Sequence, residues 1–419
     1  MSLRSAGRKS WAWLEERLGM SVVMEFLRHK QIPRNRHTAW MYTGSVMLLF
    51  FGLQVITGIL LAFYYKPTLE AANKSVGEIM TKVPLGWIIR SVHSWSATFM
   101  IAAVFVHMLS LWMIKSYRPP RELTWMSGAV LLVFTLAFGF TGYLLPWDGL
   151  SLAATKVGTD IPSAIPVVGA WATKFLRGGD DVSGDTLSRF FTFHVCVLPL
   201  LALAFIGVHL YLIQKLGMSL PVGADEKEEA ERALPFWPNF VYREAIVWSG
   251  LVGVLVTLAV FLPPSLGQAA DLMAAAPEGI TPEWYFLFLF QTLKIFPANM
   301  IFVTGELVAV LLIIIGAALL FFLPLIDTRP AEKKGKIITW AAPALVVYAV
   351  AMSVWSLTGA KAQPESVVPA AANIKESTAI YVFIGWMWLA IGVLFYLLRL
   401  KIKETDRLHD SRYFNPDKK

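Results

Sequence analysis

Cysteine is almost absent from this 419-residue chain, which contains only Cys196. A single cysteine excludes an internal disulfide, a cysteine-ligated iron–sulfur cluster and the Cys-x-x-Cys-His motif that attaches haem covalently. A redox cofactor in this chain must therefore be held by other side chains. Cys196 itself is expected to be a small, buried apolar residue.

Charged residues are also scarce, at 16% of the chain against 56% hydrophobic residues. This composition leaves too little polar surface for a soluble protein of this size and indicates a membrane protein. The predicted fold is all-α, an integral membrane bundle of eight transmembrane helices. The stretches long and apolar enough to cross a bilayer are residues 39–64, 86–114, 124–145, 190–213, 244–263, 303–325, 338–357 and 378–399.

The positive charge of the chain, formally +8, follows the predicted topology. The side that holds both termini carries 26 of the 37 Lys and Arg residues. By the positive-inside rule, both termini are expected in the cytoplasm, with the bundle in the cytoplasmic (inner) membrane. No cleavable signal peptide is apparent, and no nucleic-acid binding is predicted from the charge.

The sequence predicts five segments with different roles. Residues 10–27 are typical of an amphipathic helix on the membrane surface; a packed N-terminal helix without lipid contact is the alternative. Loop 146–189 is expected to form short helices on the outer face. The predicted divisions are an N-terminal segment (1–36), a four-helix domain with all intramembrane histidines (37–215), a charged cytoplasmic connector (216–241), a C-terminal four-helix domain (242–400) and a cytoplasmic tail (401–419).

Four histidines repeat at matched spacings in two predicted spans. His93 and His107 are 14 residues apart in the second span, and His194 and His209 are 15 apart in the fourth. In an α-helix these pairs are separated by roughly 21 and 22 Å and turned by about −40° and +60°. Because both spans run in the same direction, His93 lies level with His194, and His107 with His209. This arrangement predicts two stacked bis-imidazole sites.

The chemistry of these sites favours haem. A lone intramembrane histidine is usually a hydrogen-bonded core residue or part of a proton path, but four matched in depth are hard to explain in that way. Imidazole suits iron or copper, and two ligands without a nearby carboxylate favour haem over a bare metal ion.

Glycines supply a second repeat with the same spacing. Gly44 and Gly58 lie in the first predicted span, Gly128 and Gly142 lie in the third, and both pairs are 14 residues apart. Ordinary small-residue helix packing explains one such pair. Two pairs fit two flat macrocycles stacked across one bundle, because glycine permits close approach.

Several segments resemble cytochrome b of the cytochrome bc complexes. They are WIIRSVHSWSA (87–97), RPPRELTW (118–125), FTGYLLPWD (140–148), SAIPVVG (163–169) and PEWY (282–285). The resemblance implies two non-covalent b-type haems in the first four spans. The outer haem lies between His93 and His194, and the inner haem lies between His107 and His209. The 15-residue spacing and the PWD motif resemble the chloroplast-type branch, which is normally split near residue 220. This chain is fused and has a predicted eighth span.

The resemblance also implies an outer quinol site. There Glu283 accepts a proton from a quinol hydroxyl. The side chains expected to line the pocket are Tyr143, Pro146 and Tyr285. A purely structural interpretation exists as well, since Thr281 as N-cap and Pro282 at the first position predict a helix start.

An inner quinone site is implied by PFWPNFVYRE (235–244), in which Arg243 and Glu244 match a basic–acidic pair that supplies protons to reduced quinone. The alternative for this pair is snorkelling at the membrane interface. Arg118 and Arg121 are expected to pair with the propionates of the inner haem, and Arg90 with those of the outer haem. All three could instead anchor helices in the headgroup region.

The activity implied by the resemblance is that of a quinol:cytochrome c oxidoreductase. Quinol is oxidised at the outer pocket, one electron passes to a Rieske-type iron–sulfur protein, and the other crosses the membrane through both haems to quinone. Protons leave outside and are taken up inside. Implied partners are that iron–sulfur protein, a c-type cytochrome subunit, quinone and the lipid membrane, in a dimeric complex.

Two other functions remain open from the residues. A dihaem membrane anchor would connect a dehydrogenase to the quinone pool without bifurcation; Glu283 and the motif in the loop between the third and fourth spans argue against it. A transporter with a histidine proton relay would show no chromophore.

A third haem is not expected. The chloroplast-type branch attaches one to a cysteine in the first span, where this chain has Tyr42. Gln214 also replaces the basic residue that the branch places beyond the fourth histidine.

Overall fold

The computed structural model describes residues 3–33, 38–219, 233–274, 280–300, 302–328 and 333–359, and this part of the chain is mostly helical. Its N-terminal half contains α1 (Leu3–Leu18), α2 (Met20–His29), α3 (Thr38–Ala62), α4 (Ala72–Thr81), α5 (Gly86–Met113), α6 (Glu122–Leu144), α7 (Gly149–Asp160), α8 (Gly169–Arg177), α9 (Gly184–Thr192) and α10 (Leu198–Leu216). Its C-terminal half contains α11 (Val241–Phe261), α12 (Leu287–Ile295), α13 (Gly305–Phe321), α14 (Leu323–Ile326) and α15 (Lys333–Gly359).

Shorter elements join these helices. Two 3₁₀ helices lie at Ile161–Ala164 and Trp284–Phe286, and a π-helical turn lies at Phe193–Val197. The segment Phe236–Phe240 is kinked at Trp237, whose backbone is extended (φ −106°, ψ 130°). Two-residue strands, β1 (Gln31–Ile32) and β2 (Leu234–Pro235), pair antiparallel. Loop 146–189 forms short helices, as predicted; its place on the outer face stays a prediction.

Among the described residues, six helices are long and apolar enough to cross a membrane. The span that carries His194 and His209 is one continuous helix through α9, the π turn and α10. The six spans are Tyr42–Ala62, Gly86–Met113, Glu122–Leu144, Gly184–Leu216, Val241–Phe261 and Ile337–Thr358. Apolar side chains on their outer faces are exposed, as is expected of surfaces that face lipid.

The predicted sixth span, 303–325, is divided into two helices instead of one. Helix α13 has 17 residues and ends at Phe321, and the four-residue α14 follows with a proline in its first turn. A helix of 17 residues is at the lower limit for crossing a bilayer. The predicted eighth span, residues 378–399, lies outside the described residues, so the count of eight stays a prediction.

Buried tryptophans join the first four spans to the C-terminal half. The indole N–H of Trp112 donates to the carbonyl of Ile338 at 3.0 Å, and that of Trp125 donates to the carbonyl of Leu320 at 2.7 Å. Both rings are buried in a cluster with Met108. Because each N–H has an acceptor, the large rings are buried without an unsatisfied polar group.

The N-terminal segment is a pair of helices rather than one. Gly19 separates α1 from α2 with a positive φ of 57°, a conformation that glycine adopts without strain. Trp11, Trp13, Val22 and Phe26 are exposed along this pair. Contact of this segment with the membrane surface remains a prediction.

Candidate functional site

The histidines predicted to pair lie opposite each other. The ring centroids of His93 on α5 and His194 in the π turn are 6.3 Å apart, and the rings are inclined by 75°. His107 and His209 also lie close enough for an electrostatic interaction. Two metal–nitrogen bonds of about 2 Å each, together with the two ring radii, span such a distance. The residues present therefore fit a haem held between His93 and His194, and the same pairing of residue types recurs at His107 and His209.

A hydroxyl group contacts Nδ1 of each histidine. The contacts are Thr57 to His93 at 2.8 Å, Thr43 to His107 at 2.8 Å, Thr141 to His194 at 3.0 Å and Ser127 to His209 at 2.9 Å. Each hydroxyl also donates to a backbone carbonyl three or four residues earlier in its own helix. It is then left to accept a hydrogen bond from Nδ1–H, so the lone pair of Nε2 stays available for iron.

The four predicted glycines directly follow these hydroxyl residues. A Cβ at Gly142 would lie 2.6 Å from Cε1 of His194, and one at Gly128 would lie 3.2 Å from Cε1 of His209. A Cβ at Gly44 would lie 3.5 Å from Cε1 of His107, and one at Gly58 would lie 3.4 Å from Cε1 of His93. Glycine therefore gives each imidazole room beside the neighbouring helix. The glycines were predictable from their spacing. The Ser or Thr before each glycine was not predicted, although its constant place in the sequence was an available signal.

The unequal histidine spacings are reconciled by the π turn Phe193–Val197. The N–H of Leu198 bonds to the carbonyl of Phe193, five residues earlier, instead of four. A π turn accommodates one extra residue within an α-helix. The 15-residue interval from His194 to His209 can thus match the geometry of the 14-residue interval in α5.

Glu283 lies at the start of the short aromatic helix Trp284–Phe286. Its backbone is extended, with φ −52° and ψ 149°, and its carbonyl accepts the first hydrogen bond of the helix, from the N–H of Phe286 at 2.8 Å. The prediction of Thr281 as the N-cap is therefore wrong, because the helix starts three residues later.

Burial dominates the electrostatics of this segment. Desolvation raises the pKa of Glu283 to about 7, although the residue as a whole keeps some exposed surface. Burial and the neighbouring Glu283 raise the pKa of Tyr285 well above its ordinary value. A carboxyl group with a pKa near neutrality can exchange protons under physiological conditions.

Helix α6 connects this segment to the outer histidine pair. A Cβ at Gly139 would lie 2.8 Å from Oη of Tyr285, so the tyrosine ring packs directly on α6. Gly142, beside His194, follows one turn later. Tyr143 and Pro146, the other predicted pocket residues, lie at the end of α6, where their carbonyls accept bonds from Ser151 and Asn73 respectively.

The three predicted propionate partners contact protein groups. Arg90 donates to the carbonyls of Pro264 at 2.7 Å and Ser265 at 3.0 Å. Arg121 donates to the carbonyl of Gly217 at 2.7 Å, beyond the end of α10. Arg118 lies 3.5 Å from the buried carboxylate of Asp327. These contacts fix each arginine to backbone or side-chain groups of the protein. Pairing of the arginines with haem propionates stays a prediction.

The predicted inner pair, Arg243 and Glu244, begins α11. Glu244 hydrogen-bonds to Ser45 and interacts electrostatically with Lys30. Lys30 was not predicted from the sequence, because it is far from Arg243 and Glu244 along the chain and belongs to no recognisable motif.

Two sequence expectations concern a third haem and the thiol. Tyr42 is buried, and its ring stacks on Phe240 with centroids 4.6 Å apart.

Cys196 is exposed, so the expectation of a buried thiol is wrong. Two residues after His194, its side chain is turned away from the bundle interior.

Paired histidines at two levels of an apolar helical bundle indicate a membrane-bound cytochrome as the class. The chain belongs to the cytochrome b family: residues 28–217 match the family described as Cytochrome b/b6/petB, and residues 269–383 match Cytochrome b(C-terminal)/b6/petD.

Named relatives agree with this membership. The chain is 43% identical over 323 residues to a cytochrome bc complex cytochrome b subunit of Chlorobaculum thiosulfatiphilum, covering 77% of this chain and 74% of that one. It is 42% identical over 214 residues to cytochrome b6 of Gracilaria tenuistipitata var. liui, covering 51% of this chain and 99% of that one. A solved chain titled "Hyperthermophilic respiratory Complex III" superposes with a TM-score of 0.75 and 26% identity, covering 89% of this chain and 96% of that one.

Proposed function

We propose that this chain is the dihaem subunit of a quinol:cytochrome c oxidoreductase that oxidises quinol at an outer site and reduces quinone at an inner site. The observation that carries the proposal is the 6.3 Å separation of the His93 and His194 rings, together with the hydroxyl on Nδ1 of every paired histidine. Haem b, when bound at both levels, supplies one-electron transfer across the membrane.

At the outer site, Glu283 acts as the base. Quinol oxidation releases two electrons and two protons, and the desolvated carboxylate accepts one of these protons. Tyr285 holds the segment against α6 through its contact with Gly139. Tyr143 and Pro146, from the end of the same helix, form the rest of the proposed pocket.

The proposed partners follow from the family. One electron from quinol goes to a Rieske-type iron–sulfur protein and then to a c-type cytochrome subunit, within a dimeric complex. Both chain termini lie in the cytoplasm, consistent with the distribution of Lys and Arg. Protons are released outside and taken up inside, so turnover transfers charge across the membrane.

A rapid-mixing experiment on the purified complex tests this function. Duroquinol is mixed with the oxidised complex and its c-type cytochrome, and b-type and c-type absorbance are followed together. We expect both to become reduced, because the two electrons of each quinol take different routes. Reduction of the b-type signal without any reduction of the c-type signal would support a dihaem anchor and contradict the proposal.

A further inference from the structure

A short two-stranded clamp fixes Lys30 above the cytoplasmic ends of three spans. Strand β1 pairs with β2 through Gln31 with Pro235 and Ile32 with Leu234. The N–H of Phe236 also donates to the carbonyl of Lys30 at 2.8 Å. Because Ile32 and Leu234 are buried, this clamp holds the chain just after α2 in one place.

The side chain of Lys30 reaches polar groups from different helices. Its Nζ donates to Oε1 of Gln214, at the end of α10, at 2.8 Å, and lies 4.9 Å from the centroid of the Phe236 ring. It also interacts electrostatically with Glu244 at the start of α11, which hydrogen-bonds to Ser45 of α3. One cation, one carboxylate, one amide and one hydroxyl thus converge from four segments of the chain.

This cluster lies close to the inner histidine pair. Ser45 directly follows Gly44, and a Cβ at Gly44 would lie 3.5 Å from Cε1 of His107. Gln214 is five residues beyond His209, or about 7.5 Å along the helix. A quinone ring held between the cluster and the inner haem level would therefore meet the polar groups at its cytoplasmic edge.

We propose that Lys30 is a catalytic residue of the inner quinone site, where it and Glu244 donate the two protons that quinone takes up on reduction. The inference rests on the proposed function, because it requires an inner quinone site. It differs from the pair Arg243 and Glu244, since the cation comes from the N-terminal segment.

The chemical balance of the step is simple. Quinone accepts two electrons, which originate from quinol oxidised at the outer site, and two protons. One proton leaves the ammonium group of Lys30 and the other leaves the carboxyl group of Glu244, so each quinone oxygen becomes a hydroxyl. Water from the cytoplasm then reprotonates both side chains.

The environment of Lys30 suits a proton donor. Partial burial lowers the pKa of its ammonium group, and the nearby Glu244 opposes that effect. An ammonium group with a lowered pKa gives up its proton more readily near neutral pH.

The test isolates the inner half-reaction. The purified complex is reduced with stoichiometric dithionite in a Glu283→Gln background, which suppresses the outer site. Duroquinone is then added, and reoxidation of the b-type absorbance is followed. We expect Lys30→Gln to slow reoxidation by about 10²-fold, as for the loss of a general acid, and Lys30→Arg to slow it similarly because a guanidinium does not release its proton.

Lys215→Gln is the matched control. Lys215 adjoins Gln214 and is exposed, so this variant removes one positive charge from the same corner and is expected to reoxidise at the rate of the parent. Parental reoxidation in Lys30→Gln, or slowing by Lys215→Gln to the same extent, would overturn the role of Lys30. Failure of the parent itself to be reoxidised by duroquinone would instead overturn the proposed inner site.

Discussion

At the scale of single residues, Glu283 is the group whose chemistry depends most on its surroundings. Glutamine preserves the size of the side chain but cannot accept a proton. We therefore expect Glu283→Gln to slow quinol oxidation by about 10²-fold, typical of the loss of a general base. Steady-state reduction of the c-type cytochrome measures this rate. Both b-type absorbance components should persist, and wild-type turnover in an assembled Glu283→Gln complex would remove Glu283 from the mechanism.

The pH dependence of quinol oxidation gives an independent test of the same carboxyl group. Desolvation raises the pKa of Glu283 to about 7, and only the deprotonated form acts as a base. The rate is therefore expected to rise as pH increases through about 7 and to level off above it. Initial rates across this range should show the inflection in the wild type and lose it in Glu283→Gln. An inflection of equal size in both proteins would assign it to another group.

The histidine pairs make separate predictions for the two haems. His93→Ala and His194→Ala should each remove one b-type component from the reduced-minus-oxidised spectrum, because both rings belong to the same site. His107→Ala and His209→Ala should each remove the other component. If a single substitution left both components at wild-type stoichiometry, the assigned pairs would be incorrect.

At the scale of elements, the π turn Phe193–Val197 explains how a span with one additional residue keeps its histidines in register. Deletion of Val195, whose side chain is exposed, should convert the π turn into ordinary α-helix and retain both haems. Deletion of Ala103 from α5 is the comparison, since it turns His107 by about 100° relative to His93 and should cost one haem. Reduced-minus-oxidised spectra of the two deletion variants measure the haem that each retains. Equal haem loss in both variants would contradict this role of the π turn.

The same helices show what the sequence could predict. Depth and direction along a straight apolar helix follow from residue spacing, so the pairs His93 with His194 and His107 with His209 were predictable. The π turn was not, because one inserted residue is compatible with several backbone solutions. Nor was the contact between Lys30 and Gln214, which are 184 residues apart and meet only through packing of the N-terminal segment.

At the scale of the whole molecule, the chain combines two family segments, residues 28–217 and 269–383. The match to cytochrome b6 covers about half of this chain, whereas the Chlorobaculum thiosulfatiphilum protein matches across 77% of it. Trp112 and Trp125 hydrogen-bond across the two halves, so the C-terminal helices pack on the histidine-bearing spans. This packing supports the proposed outer pocket, in which Tyr285, two residues after Glu283, packs on Gly139 of the other half.

Haem content tests the central claim of two non-covalent haems most directly. Pyridine haemochrome analysis of this chain, separated from the proposed c-type partner, should give two b-type haems per chain, all extracted by acidified organic solvent. Tyr42 offers no thioether bond, so a denaturing gel should show no haem-dependent peroxidase stain at 46.7 kDa. One haem per chain, or a stained band at that mass, would contradict the account.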